Sequence, residues 1–272
     1  MTYFTNKVAV VTGAGSGIGR SLAIELAGRG AAVAISDVDS TGLAETERLL
    51  LAGGANVASH HLDVTEREQV TAYAAEIADG FGFINQVYNN AGIAFTGDIQ
   101  DMDYKHLEKV MDVDYWGVVN GTKAFLPYLI DSGDGHVVNI SSVFGIISVP
   151  TQGAYNAAKF ATRGFTEALR MEMLSRQRPV KVTCVHPGGI KTNVARNAGQ
   201  VDGLDHDDLA KNFDKIARTT PDKAAKVILK GVEKGKPRVL IGADAYAIDL
   251  LARFSGARYQ GLVAKFAGQA GL

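Results

Sequence analysis

One cysteine, six prolines and one tryptophan stand among 272 residues, and each scarcity narrows what the chain can be. A lone Cys184 forbids an internal disulfide, and its place in the apolar run Val180-Lys181-Val182-Thr183-Cys184-Val185 predicts burial in a strand rather than reactivity. No apolar run approaches the ~18 residues that a bilayer-spanning helix requires. A net charge of −1 supplies no field to draw in nucleic acid or an anionic membrane. Ahead of the first apolar run, at residues 7–11, there is neither a basic n-region nor an apolar h-region. These observations predict a soluble, cytoplasmic protein with no nucleic-acid partner and no transmembrane segment. What is present is an ordinary globular composition, 46% hydrophobic and 21% charged, sufficient for one α/β core.

Short β-rich runs alternate with longer helical patterns from the start. Strands are predicted at 8–11, 32–36, 57–62, 86–88, 136–140 and 180–185, with helices at 18–29, 42–52, 66–79, 104–130 and 155–175. A seventh strand, 238–241, follows a helix opened by Thr220-Pro221-Asp222, with Thr220 as the cap and Pro221 at the first helical position. Such a βαβ series implies an α/β fold: a doubly wound parallel sheet with helices on both faces and a ligand crevice at the carboxyl ends of the strands. No linker or internal repeat divides the chain, which reads as a single domain.

Directly after the first strand comes Thr12-Gly13-Ala14-Gly15-Ser16-Gly17-Ile18-Gly19, and then an amphipathic helix. Glycines in that setting allow a tight turn and close approach of the backbone to a pyrophosphate, which the helix N-terminus attracts. Asp37 ends the second strand, where a carboxylate accepts hydrogen bonds from ribose hydroxyls and repels a 2′-phosphate. NAD is therefore favoured over NADP, and Ser16, Val38 and Asp39 add no cation nearby. Arg20 and Arg29 keep NADP open, and Asp37 could instead cap the turn before Ser40. Farther on, Tyr155 and Lys159 are separated by one helical turn and share a face. A phenol has an ordinary pKa of about 10, which a fixed positive charge lowers, so the pair can exchange a proton with an alcohol or a carbonyl.

With these residues in place, the chain resembles the short-chain dehydrogenase/reductase family, in its compact single-domain form. The glycine turn matches that family's cofactor loop, Asn89-Asn90-Ala91-Gly92 its motif after the fourth strand, and Asp63-Val64 the pair that meets the adenine. Ser142 precedes Tyr155 by thirteen residues, as the catalytic serine does, and Pro187-Gly188-Gly189-Ile190-Lys191-Thr192 resembles the segment that covers the nicotinamide. The resemblance implies a seven-stranded Rossmann sheet and a cofactor site made of Gly13, Ser16, Gly17, Ile18, Gly19, Asp37, Val38, Asp63, Val64, Asn90, Ala91, Gly92, Ile140, Tyr155, Lys159, Pro187, Gly188, Ile190 and Thr192. Ser142 would hold the substrate oxygen and Tyr155 would transfer the proton. Lys159 would bind the nicotinamide ribose and lower the tyrosine pKa. Ser141 is then a strand-end hydrogen-bonding residue. One position departs from the family: in Asp112-Val113-Asp114-Tyr115-Trp116-Gly117, Asp114 stands where an asparagine is usual. Its carbonyl can keep the asparagine's relay role, while its carboxylate could pair with Lys159 or become partly protonated.

The resemblance also divides the chain into a cofactor-binding and catalytic core at 1–192, a substrate lid at 193–217 and a helical tail at 243–272. Ala94, Phe95, Phe144, Ile146, Val149 and Gln152 are the candidate lining of the substrate pocket. Their mostly apolar character, with no arginine placed to clamp a carboxylate, favours a small hydrophobic alcohol or ketone. The tail could lie on a membrane, close the substrate pocket or pack on another subunit; packing in a homodimer or homotetramer is preferred. No metal site is expected. Two other classes compete with an oxidoreductase: a catalytically silent nucleotide sensor, which predicts loss of Ser142, Tyr155 or Lys159, and a nucleotide-sugar epimerase or dehydratase, which needs a longer chain.

Overall fold

The computed structural model describes residues 2–192, 199–201 and 217–270, with side chains to residue 265. In chain order the elements are β1 (Val8–Thr12), α1 (Gly17–Gly28), β2 (Ala32–Asp37), α2 (Ser40–Ala52), β3 (Val57–His61), α3 (Arg67–Phe81), β4 (Gln86–Asn89), β5 (Phe95–Thr96), α4 (Tyr104–Met111) and α5 (Gly117–Asp131). They continue with β6 (Gly135–Ile140), α6 (Gly153–Ser175), β7 (Val180–Pro187), β8 (Gly199–Gln200), α7 (Pro221–Glu233), β9 (Arg238–Ile241), α8 (Ala243–Ser255) and α9 (Tyr259–Ala270). Seven strands form one sheet in the order β3-β2-β1-β4-β6-β7-β9, and every pairing in it is parallel. The winding reverses between β1 and β4, so a crevice opens at their carboxyl ends.

Both faces of the sheet are covered, and alternation along each strand decides which residue goes where. Ala9 and Val11 of β1 join Leu22 and Leu26 of α1 and Ile228 and Leu229 of α7 on one face. Val10, between them, points to the other face, against Ile77 of α3, Phe125 and Leu129 of α5, and Leu169 and Met173 of α6. Strands buried on both sides read as continuous apolar runs, as β1 does. Cys184 is buried in β7, where desolvation pushes its thiol up to about 12. No helix among the described residues is long and apolar enough to cross a membrane.

One feature differs from the sequence expectation. The predicted helix at 104–130 is interrupted at Asp112–Trp116 by a π-helical turn, a local widening that changes which side chains face the interior. The tail makes contacts with its own chain: Asp249 of α8 pairs with Arg238 of β9 at 3.1 Å, and the Ser148 N–H donates to the Tyr259 hydroxyl at 3.0 Å. Most of the expected lid, 193–198 and 202–216, lies outside the described residues; Gly199 and Gln200 add a short parallel strand to Phe95 and Thr96. Leu22, fully buried between α1 and the sheet, reports on that face of the core. Leu22→Ala should cost about 2–5 kcal/mol in urea unfolding, with no change of secondary structure.

Candidate active site

The crevice is built first by backbone. Gly13, at the end of β1, has φ +65°, and a Cβ there would stand 2.7 Å from the Ala91 Cα. The close approach is held by Asn90, whose Nδ2 donates to the carbonyls of Thr12 at 2.9 Å and Gly13 at 3.1 Å. The Thr12 hydroxyl accepts from the main-chain N–H groups of Asn90 and Ala91. Residues 13–19 and 90–92 therefore form one unit. The Ser16 side chain makes no capping bond, so the first N–H groups of α1 are left directed at the turn. Gly17, at φ +52°, leaves room for Thr192, whose Cγ2 would lie 3.3 Å from a Cβ on it. This glycine cradle on a helix N-terminus fits a dinucleotide pyrophosphate.

Asp37 closes the far side of the cradle. Its Oδ2 accepts the Gly15 N–H at 2.7 Å and its Oδ1 the Asp39 N–H at 2.9 Å, while Asp39 itself caps α2. Asp37 thus closes the turn before Ser40, while the helix cap is its neighbour Asp39. Arg20 is turned onto the carbonyls of Gly15 and Gly42 and the Thr46 hydroxyl, and Arg29 pairs with Glu25 at 3.3 Å. Val38 is exposed beside this carboxylate. On the opposite side, Asp63 is held by an Asx turn onto Thr65, and the Val64 carbonyl accepts from Asn120 at 2.9 Å.

The residues expected to transfer a proton gather at the ends of β6 and β4. Lys159 is 3% exposed, and its ammonium donates to the Asp114 carboxylate at 2.9 Å and the Ile140 carbonyl at 3.1 Å. Asp114 is fully buried and also accepts the Ile93 N–H at 2.7 Å. Burial raises its carboxyl above the usual range, and Lys159 and the Ile93 N–H offset only part of that. Burial also acts against the Lys159 charge, but Asp114 and Tyr155 outweigh it and hold the ammonium pKa above its ordinary value. Tyr155 lies beside them, with the Lys159 ammonium 5.4 Å from its ring centre. Desolvation raises the Tyr155 pKa, Lys159 lowers it and Asp114 raises it again, so the net direction is upward. The expected lowering by Lys159 is present but is outweighed by burial.

Ser142 accepts the Phe144 N–H at the start of a short turn, while Ser141 donates to the Lys159 carbonyl at 2.8 Å, the structural part foreseen for it. The Asp114 carbonyl accepts the Thr162 hydroxyl at 2.8 Å. Below the site a buried chain runs from Asn89 to Asn139 and on to Thr166 and Thr162, with bonds of 2.6–3.0 Å. Single-sequence reasoning named Asn89 only within its motif and missed Asn139, Thr162 and Thr166, because isolated polar residues in helices and strands carry no motif. It also missed Asp244, whose carboxylate accepts the Gly189 N–H at 2.7 Å and pins the 187–192 segment. Ile190 is buried in that segment, bridged to Thr219. Among the expected pocket residues, Phe144 meets Tyr155 edge-on with ring centres 6.2 Å apart. Phe95 and Ile146 are buried, and Gln152 donates to Thr96.

The family model for short chain dehydrogenases matches residues 7–202. A Mycobacterium tuberculosis protein named "Putative oxidoreductase SadH" is 60% identical over 265 residues, covering 97% of this chain and 96% of its own. Among solved structures, a short chain dehydrogenase/reductase from Burkholderia phymatum in complex with NAD superposes with a TM-score of 0.88 at 27% identity, over 96% of this chain and 97% of that one. An alcohol dehydrogenase from Thermococcus sibiricus complexed with 5-hydroxy-NADP gives 0.74 at 25% identity, over 86% and 95%. The chain belongs to the short-chain dehydrogenase/reductase family and has its oxidoreductase fold.

Two buried histidines flank this region and make a pH prediction. His186 Nδ1 donates to the Ser142 carbonyl at 2.8 Å, and His136 Nε2 bonds the Thr183 hydroxyl at 2.8 Å. Burial pushes their pKa values down to about 4 and about 3 from an ordinary 6.5. The unfolded chain binds these protons first, so their contribution is complete above pH 6.5 and declines as pH falls toward 4. At pH 5 each should have withdrawn roughly 2 kcal/mol, and His186→Asn should remove about half of that loss in urea unfolding compared at pH 7 and pH 5.

Proposed function

We propose that this family member is an NAD(H)-dependent oxidoreductase that interconverts a hydrophobic alcohol and its ketone, with Tyr155 as the general acid and base. The observation that carries the reading is the meeting of Ser142, Tyr155 and Lys159 at the mouth of the glycine cradle. A nicotinamide bound there supplies or accepts the hydride. Ser142 orients the substrate oxygen, Tyr155 gives a proton to a ketone or takes one from an alcohol, and Lys159 holds positive charge beneath them.

Burial keeps Tyr155 protonated at neutral pH, which is the form that reduces a ketone. Alcohol oxidation needs the phenolate, so its rate should rise with pH while reduction falls. NAD is preferred in this reading because Asp37 faces the place of the adenosine ribose and both nearby arginines are engaged elsewhere. A buried Cys184 without a partner suits the reducing cytoplasm. Exposed Trp116, beside α5, fits a face covered by a second copy in a homodimer or homotetramer.

Three measurements test this. Titration with NAD and NADP, followed by a screen of hydrophobic secondary alcohols at the reduced-nicotinamide absorbance, should give turnover with NAD; tighter binding and faster turnover with NADP would move the assignment to an NADP-dependent carbonyl reductase. Tyr155→Phe should lower kcat by about 10²–10⁴ while leaving the cofactor Kd unchanged. Asp114→Asn should remain active, with the alkaline limb of alcohol oxidation moved to lower pH because a charge that raises the Tyr155 pKa is gone; complete loss of turnover would refute that role.

A further inference from the structure

A cavity of about 790 Å³ lies under α9. Its wall on α6 is made by Gly153, Asn156, Ala157 and Phe160, and its roof by Gln260, Val263 and Ala264 of α9. Spacings of three, four and seven place those α6 residues on one face of the helix. Tyr155 and Lys159 are not in the lining, and at 100° per residue they lie roughly 140° around the helix from it. The cavity and the proton-transfer site are thus back to back across α6, divided by the segment 148–152 that leads into the helix.

The lining is chemically selective. Ile99, Val149, Pro150, Phe160 and Val263 make most of it apolar, and no lysine or arginine lines it. Asp98 contributes the single formal charge, which disfavours an anion. Amide and hydroxyl groups of Gln100, Ser148, Thr151 and Gln260 stand among the apolar ones, and Asn156 is anchored through Nδ2 to the Val149 carbonyl at 2.9 Å. The volume falls in the ~300–1,000 Å³ range of small-molecule sites. The roof is fixed by the Tyr259 hydroxyl at the Ser148 N–H.

The geometry points to a second ligand site, under α9, for a neutral and mainly hydrocarbon molecule carrying a hydroxyl or amide donor. It is separate from the reacting site and places a ligand against the back of the helix that carries Tyr155 and Lys159. The C-terminal helix forms its cover.

Decanamide is a suitable probe, being neutral, apolar and neither an alcohol nor a ketone. Calorimetric titration of the full-length protein should show saturable binding that Tyr155→Phe leaves unchanged. Ala264→Trp, which fills the roof, and Ile99→Trp, which fills the opposite wall, should each weaken binding at least tenfold while turnover of 2-butanol or another small alcohol is retained. No binding to the wild type, or equal binding to both filled variants, would overturn the site. A change of oligomeric state in the filled variants without loss of probe binding would also overturn it, marking the cavity as an intersubunit surface. Binding that persists in a protein without turnover on any alcohol would support this site and count only against the proposed reaction.

Discussion

A positive charge buried near the centre of the molecule organises the site. Lys159 has lost almost all contact with solvent, and an uncompensated ammonium in that position would cost several kcal/mol. The chain compensates it with the Asp114 carboxylate and the Ile140 carbonyl, one from the π-helical turn before α5 and one from the end of β6. Those two partners bring the long helical region, the central strand and α6 to a single point. Asp114 then reaches on to the Ile93 N–H, which ties in the segment after Asn90-Ala91-Gly92.

The same pair sets the electrostatics of the tyrosine. A lysine alone would favour the phenolate, but its charge is shared with a carboxylate 2.9 Å away, and burial opposes ionisation of the phenol. The Tyr155 phenol is consequently held in its protonated form, and positive charge brought into the pocket would favour its ionisation. Gly92 shows how tightly the group is packed, since a Cβ there would stand 3.3 Å from Asp114 Oδ2 and 3.4 Å from Lys159 Nζ.

Around this centre the chain uses main-chain donors and short polar side chains to hold strand ends in register. Asn90 joins β4 to the glycine turn, Asp37 joins β2 to it, His186 joins β7 to the Ser142 carbonyl, and Asp244 joins α8 to the segment after β7. Each spans a gap between parallel strands whose edges diverge at the carboxyl end of the sheet, where ladder hydrogen bonds stop. The cavity under α9 lies outside this frame, on the far side of α6.

Periodicity and motif determined much of this from sequence alone. Alternating β and α patterns give a parallel sheet because a short strand followed by an amphipathic helix has few other ways to bury both, and the observed strands agree with the predicted ones to within one or two residues. Glycine spacing after β1, and Ser142, Tyr155 and Lys159 in order, were legible because their chemistry is local. What only the tertiary structure decided was everything that depends on a partner distant in sequence. Asp114 was a substitution of uncertain consequence until Lys159, forty-five residues away, was found against it. Likewise the direction of the Tyr155 pKa, the contacts of the tail with its own chain and the roles of Asn139, Thr166 and Asp244 follow from burial and from long-range contacts, which no spacing along the chain encodes.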